Sequence, residues 1–117
     1  MIKGIGIDLI ELDRIYKHID NQQFIARILT KKEQQIYHTL QSSTRKTEFL
    51  AGRFAAKEAF AKAVGTGIGT LSFKDIEVLS NESGAPFIHV KGYHDEKIFI
   101  SISHSQTYAI AQVIIAS

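Results

Sequence analysis

The residues best suited to chemistry are two carboxylates beside apolar sequence, Asp8 and Glu58. Asp8 interrupts an apolar run, where an unpaired buried charge is costly, so it needs a cation, a helix to cap or a strand end open to solvent. One interpretation makes it the cap of a helix that begins near Leu9 or Ile10. Glu58 precedes Lys62 by one helical turn, and its structural interpretation is an exposed ion pair that contributes about 0.3–0.5 kcal/mol.

A functional interpretation joins Asp8 and Glu58 on one hard cation. Magnesium is commonly held by one or two carboxylates, water and the phosphate oxygens of a substrate. Three basic side chains share the segment of Glu58, namely Arg53, Lys57 and Lys62. Two acids, nearby cations and the glycine-rich residues 65–69 together predict a metal and phosphate site.

His104 and the glycine-rich segment are weaker signals. His104 ends a strand pattern and alternates onto the same face as Ile98, Ile100 and Ile102. It is therefore either a solvated turn residue or a residue that borders a pocket and donates to a phosphate. Residues 65–69 match neither a phosphate-binding P-loop nor a dinucleotide fingerprint, and alone they indicate the end of a helix.

These side chains must be positioned by a first strand and a series of helices. Ile2–Ile10 reads as a strand, and its Gly4 and Gly6 indicate close approach of another backbone. Helical patterns cover residues 11–19 and 30–40, and the latter begins at a capping box, Thr30 to Glu33. Between them Asp20-Asn21 can cap a short helix that carries Phe24, Ile25, Ile28 and Leu29. Residues 41–46 read as a polar connection.

The longest predicted helix spans residues 47–64 and carries the cations. On a helical wheel its buried stripe is Leu50, Phe54 and Ala61, with Arg53 and Lys57 on one flank and Glu58 and Lys62 on the other. Beyond residue 69 the period changes to two, which predicts strands at 73–79, 86–91, 98–103 and 108–116 and turns at 81–84 and 104–107. We expect an α+β fold, with helices mainly in the first half packed on an antiparallel sheet that Ile2–Ile10 joins.

Composition limits the classes of protein. The chain has 117 residues, enough for one compact domain, residues 1–117. With 44% hydrophobic and 22% charged residues it should fold as a soluble globular protein. The absence of Cys excludes disulfide frameworks, cysteine zinc sites and thiol nucleophiles. Without a signal peptide or an apolar run near the roughly 20 residues of a membrane helix, we expect a cytoplasmic protein with no membrane partner.

The charge is concentrated rather than spread. The formal net charge is +2, but residues 41–62 carry five basic and two acidic side chains, a local charge of +3. A nucleic-acid-binding surface usually shows a wider basic stripe with interleaved aromatic residues. The sequence therefore favours a local anion site and no nucleic-acid partner.

Three spaced motifs resemble those of the 4'-phosphopantetheinyl transferases, in particular the small bacterial holo-[acyl-carrier-protein] synthase group. They are Gly4–Glu11 followed by Arg14, Arg53–Lys62, and Ile102–Ser105. The likeness continues through residues 65–69 and 84–86. It implies the fold of that family and transfer of the 4'-phosphopantetheine arm of coenzyme A to a serine of apo acyl carrier protein, which leaves adenosine 3',5'-bisphosphate, in fatty acid biosynthesis.

The resemblance also implies roles for individual residues. Asp8 and Glu58 would be magnesium ligands and, with Lys62 facing the coenzyme A pyrophosphate, the catalytic set. Arg53 and His104 would bind phosphate oxygens, including the 3'-phosphate, and Arg45 and Gly65 would lie in the same pocket. Arg14, Lys17 and Arg27 would dock the acidic carrier protein. The assembly implied is a homotrimer with three sites at subunit interfaces.

Attack by a serine hydroxyl on the phosphorus nearest pantetheine requires neutralised oxygens, two positioned reactants and removal of a proton. Two candidates for the base stay open, a metal-polarised water and Glu58. Two other function classes also stay open at this point. One is a non-catalytic adaptor that binds an acidic protein, and the other is a magnesium-dependent nucleotide hydrolase.

Overall fold

The protein, described from a computed structural model over residues 1–65 and 71–117, has an α+β fold with its helices in the first half of the chain. This confirms the predicted class. The helices are α1 (Leu12–Tyr16), α2 (Gln22–Ile28), α3 (Lys31–Tyr37) and α4 (Ser43–Val64), and a 3₁₀ turn spans Phe73–Asp75. The strands are β1 (Ile2–Glu11), β2 (Ile76–Ser80), β3 (Pro86–Val90), β4 (Lys97–His104) and β5 (Tyr108–Ala116).

The strands form two antiparallel sheets where the sequence predicts one. The larger sheet has the order β1-β5-β4, and β2 and β3 form a separate hairpin. In the hairpin turn the Asn81 side chain accepts from the backbone N–H groups of Ser83 and Ala85, and Gly84 adopts a φ of 88°. Residues 73–75 are not part of a strand, because Ser72 and Asp75 form a capping box that closes a 3₁₀ turn.

Several helix boundaries differ from the prediction: α1 ends at Tyr16 instead of residue 19, and a cap sets an earlier start for α4. The hydroxyl of Ser42 accepts from the N–H of Arg45 at 3.1 Å, so residues 43–46 form the first turn of α4 and not a polar connection. The capping box of Thr30 and Glu33 is confirmed, but α3 ends at Tyr37 instead of near residue 40. Gly65 ends α4 in the left-handed region, with a φ of 93°.

Helix α4 is buried on most of its circumference, and this corrects the predicted place of Lys57. The side chains of Lys57 and Glu33 are fully buried, with Nζ 2.6 Å from Oε1. Lys57 also donates to the backbone oxygen of Ile28 at 2.7 Å. A helical wheel describes one helix in isolation. It places Lys57 on a flank of the buried stripe and cannot show that another element supplies a buried counter-ion. None of the helices within the described ranges combines the length and hydropathy that a membrane span requires.

Glycines bring β1 and α4 into backbone contact, as the sequence predicts. A Cβ on Gly6 would lie 2.0 Å from the backbone oxygen of Ala59, and one on Gly4 would lie 2.1 Å from that of Ala63. Since alternate residues of a strand share a face, Asp8 is on the same face of β1 as these glycines. The close packing therefore places Asp8 against the C-terminal half of α4.

Candidate active site

Asp8, Glu58 and Lys62 form one charged cluster at the β1 edge of the larger sheet. Lys62 Nζ donates to Asp8 Oδ1 and to the backbone oxygen of Ile7, both at 3.0 Å. Burial raises the pKa of Glu58, the charge of Asp8 raises it further, and the charge of Lys62 opposes the shift. All three charges thus act on one another across the contact between β1 and α4.

The purely structural roles predicted for Asp8, a helix cap, and for Glu58, an ion pair with Lys62, are not found within the ranges that the structure describes. Strand β1 continues to Glu11, which is the residue at the N-cap position of α1, so Asp8 caps no helix there. Lys62 turns its ammonium group toward Asp8 on the neighbouring strand. The lysine that was a candidate partner for Glu58 within α4 therefore connects the helix to the sheet.

The donor chemistry of this cluster fits magnesium. Carboxylate oxygens are the hard ligands that Mg²⁺ prefers, and it commonly takes only one or two from the protein. Within the described residues no group of three or more His, Asp or Glu side chains could hold a metal by itself. A cation between Asp8 and Glu58 would therefore need further oxygens from water and phosphate, as in a site that binds metal together with a phosphorylated substrate.

A second cluster lies where the first half of α4 meets the end of β4. Arg45, Glu48, Arg53 and His104 line a cavity of about 170 Å³. His104 Nδ1 lies 3.3 Å from Glu48 Oε2. The guanidinium carbon of Arg53 lies 3.9 Å from the centre of the Phe49 ring. This cavity holds more basic than acidic side chains and so favours an anion.

The environment of Arg53 favours the binding of an anion. Its Nε is buried and has no hydrogen-bond partner among residues 1–65 and 71–117. Burial lowers the pKa of the guanidinium, an effect that the charge of Glu33 opposes. Because an unsatisfied buried donor costs roughly 1–3 kcal/mol, a phosphate oxygen that reached this group would remove part of that cost.

An open groove of about 550 Å³ adjoins this cavity and was not predicted from the sequence. Arg45, Phe49 and Arg53 line both spaces. The groove adds one further cation and an apolar wall, formed by Lys32, Ile36, Leu40, Leu79 and Phe87. These residues come from α3 and its C-terminal flank and from the hairpin, and no spacing along the chain indicates that they meet. An apolar wall beside several cations is suited to a nucleotide.

The residues predicted to dock a carrier protein are exposed, and two of them are neighbours. Arg14 and Lys17 line a cavity of about 240 Å³ together with Phe24 and Phe54. Arg27 is exposed in the last turn of α2 and does not line this cavity. Of the predicted glycine loop, Gly65 ends α4, and residues 66–69 lie outside the described residues.

The predicted site residues fall into two groups at opposite edges of the larger sheet. Asp8 is on the edge strand β1, His104 is on the edge strand β4, and β5 lies between them. Neighbouring strands are about 4.8 Å apart, so the two edge backbones are separated by about 10 Å. A single chain thus presents one cluster at each edge of the sheet.

Comparison with known proteins gives consistent matches along the whole chain. The sequence profile of the 4'-phosphopantetheinyl transferase superfamily matches residues 4–114. The holo-[acyl-carrier-protein] synthase of Oceanobacillus iheyensis is 60% identical over 116 residues, covering 98% of this chain and 97% of the relative. That of Enterococcus faecalis is 52% identical over 118 residues, covering 100% of this chain and 99% of the relative.

Solved structures give the same result for the fold. The crystal structure of a holo-(acyl-carrier-protein) synthase from Bacillus anthracis in complex with CoA (3',5'-ADP) superposes with a TM-score of 0.91 at 50% identity, covering 100% of this chain and 99% of that one. The synthase of Helicobacter pylori in complex with coenzyme A superposes with a TM-score of 0.82 at 34% identity, covering 96% and 99%.

Proposed function

The chain belongs to the 4'-phosphopantetheinyl transferase superfamily, and we propose that it transfers the 4'-phosphopantetheine group of coenzyme A to a serine of apo acyl carrier protein. The products are holo acyl carrier protein and adenosine 3',5'-bisphosphate, and the role is in fatty acid biosynthesis. The observation that carries the proposal is the meeting of Asp8, Glu58 and Lys62, in a chain similar to holo-[acyl-carrier-protein] synthases over its whole length. The enzyme acts as one domain, residues 1–117, in the cytoplasm.

The β1-edge cluster supplies the groups that the reaction needs. Transfer joins the serine oxygen to the phosphorus nearest pantetheine and breaks the bond from that phosphorus to the bridging oxygen, which leaves with adenosine 3',5'-bisphosphate. The serine proton passes to a base, for which Glu58 and a water polarised by bound metal are the two candidates. Asp8 and Glu58 would hold Mg²⁺, which when bound neutralises the charge of the pyrophosphate. Lys62, whose side chain is half exposed, stabilises negative charge on the leaving phosphate.

The β4-edge cluster binds the remaining phosphate of coenzyme A. Arg45, Arg53 and His104 face one cavity, and the buried Nε of Arg53, which has no partner in the described part of the chain, supports an anion as its ligand. We assign the 3'-phosphate to this cavity and the nucleoside to the adjoining groove, whose apolar wall includes Leu79 and Phe87. Gly65 ends α4 about 18 Å along the helix from Arg53 and does not line this cavity, so its expected place beside the same phosphates would have to be filled from another subunit of the assembly proposed below.

The proposed assembly is a homotrimer with sites between subunits. The face of the larger sheet opposite α4 carries apolar side chains that are each more than half exposed, Ile5, Ile7, Leu9 and Phe99. Association of copies would remove this face from water and set the β1 edge of one subunit beside the β4 edge of the next. That arrangement would explain why each protomer carries its two clusters at opposite edges.

A mixing experiment tests whether the site is shared. Glu58→Gln disables the β1-edge cluster and Arg53→Ala disables the β4-edge cluster, so each homotrimer is expected to be inactive. Random co-assembly of the two variants leaves about one site in four with both clusters intact, so activity should return to about a quarter of wild type. The measurement is transfer rate after co-expression, with each variant alone as the control. A mixed trimer without activity would place each site within one protomer.

The carrier protein docks beside the β1-edge cluster through Arg14, Lys17 and Arg27. Two of these cations border a cavity whose wall includes Phe24 and Phe54, so an acidic helix would meet both charge and apolar surface. Exposed complementary charges mainly raise the association rate and are screened by salt. The partner is therefore an acidic protein, in keeping with an acyl carrier.

One assay decides between this function and its competitors. The protein is incubated with coenzyme A, Mg²⁺ and apo carrier, and the carrier is weighed by mass spectrometry. We expect a gain of one phosphopantetheine, lost when coenzyme A is omitted or when the carrier serine is replaced by alanine. An unchanged carrier mass under conditions where a known synthase is active would contradict the proposal. Carrier binding without modification would indicate an adaptor, and cleavage of coenzyme A without a carrier would indicate a hydrolase.

A further inference from the structure

A carboxylate lies inside the cationic cavity at the β4 edge, where it works against anion binding. Glu48 shares that cavity with Arg45, Arg53 and His104, and its Oε2 lies 3.3 Å from His104 Nδ1. Because Glu48 lines the same small cavity as the proposed phosphate, its negative charge repels that ligand. A compensating role is therefore required to explain the side chain.

We propose that Glu48 is a positioning residue that orients the His104 ring for the coenzyme A phosphate, an inference that rests on the proposed function of this cavity. Glu48 is anchored on α4, and its side chain is 22% exposed against 48% for His104. By engaging Nδ1, the carboxylate fixes one side of the ring and leaves Nε2 as the nitrogen that can face a phosphate oxygen, to which it donates in the ring form that carries a proton on both nitrogens.

The charges around His104 are contributed by two elements. From α4 come Arg45, Glu48 and Arg53, and from α1 comes Asp13, which lines a neighbouring cavity together with His104 and Glu48. Only Glu48 lies within ion-pair distance of the ring among the described residues. Asp13 is exposed, so it offers a matched carboxylate that adds negative charge near the cavity without holding the imidazole.

The test uses Glu48→Gln and adenosine 3',5'-bisphosphate as the probe, with affinity measured by calorimetry on the intact protein. If Glu48 only repelled anions, its neutralisation would tighten binding. A positioning role predicts the opposite sign, a loss of about five- to tenfold, because the imidazole is no longer held for the phosphate. Asp13→Asn reports the pure charge effect and is expected to leave affinity unchanged or slightly raised.

A double-mutant cycle with His104→Ala isolates the coupling. In that background Glu48→Gln should no longer weaken binding, because there is no ring left to orient. In steady-state assays Glu48→Gln should raise KM for coenzyme A while leaving KM for the carrier unchanged. If Glu48→Gln bound the probe as tightly as the wild-type protein or more tightly, the inference would be overturned. Binding by the wild-type protein would still support the cavity as the anion site. Failure of the wild-type protein to bind the probe would overturn both.

Discussion

Glu58→Gln is expected to lower phosphopantetheine transfer by at least about a hundredfold at every magnesium concentration, with the fold intact. The amide keeps the size of the side chain and its place on α4 but removes the charge that would bind a cation beside Asp8. The remaining carboxylate, Asp8, is already paired with the ammonium group of Lys62, so it would bind a second cation only weakly. The measurement is turnover across a magnesium titration, with circular dichroism as the check on folding.

The same change should leave stability unaltered or raise it. Burial and the charge of Asp8 raise the pKa of Glu58, so the ionised carboxylate is less stable in the folded chain than in the unfolded chain. A raised pKa contributes stability below the unfolded value, and that contribution is lost as the pH rises through the folded value. At neutral pH Glu58 therefore opposes folding, and glutamine removes the opposition. The difference in melting temperature between variant and wild type should shrink as the pH falls into the carboxyl range.

Glu82→Gln is the matched control, because Glu82 is exposed in the turn between β2 and β3. It should leave turnover unchanged. Wild-type turnover by Glu58→Gln would mean that this carboxylate neither holds a metal nor accepts the serine proton. A loss of turnover together with a large loss of stability would instead assign Glu58 a structural role.

Local signals in the sequence predicted the fold best where a few neighbouring residues decide the conformation. The capping box of Thr30 and Glu33 and the strand Tyr108–Ala116 were found as predicted. Gly4 and Gly6 predicted backbone contact, because only a missing side chain permits such an approach. The start of α4 was missed because its cap depends on the single hydroxyl of Ser42, and residues 41–46 include other polar side chains that could serve as caps equally well.

The candidate site shows where such reasoning ends. Motifs named the charged residues, but their division between two edges follows from the strand order β1-β5-β4, which is set by pairings between distant segments. Lys57 is the clearest error. Its neighbours in sequence give no sign of Glu33, and two buried charges are tolerated only because each has the other and further hydrogen bonds.

Lys57→Met is expected to lower the free energy of unfolding by about 3–5 kcal/mol, the largest stability effect that we expect from a single charge in this protein. Methionine keeps most of the length of the side chain but leaves Glu33 buried without its counter-ion. Glu33 also accepts from the backbone N–H groups of Thr30 at 2.8 Å and Val78 at 2.7 Å, so it cannot swing out to solvent without breaking them. Urea unfolding, followed by circular dichroism, measures the change.

A double-mutant cycle tests whether the loss comes from the unpaired charge or from packing. Glu33→Gln alone leaves Lys57 unpaired and should also be strongly destabilising, but the double variant should lose less than the sum of the two single losses. Additive losses would mean that the two side chains stabilise the fold independently. Lys74→Met, at an exposed lysine, is expected to change the free energy of unfolding by less than about 0.5 kcal/mol. If Lys57→Met were equally mild, the buried pair would contribute no more than a surface pair, and the four elements that it joins, α2, α3, α4 and β2, would be held together by apolar packing alone.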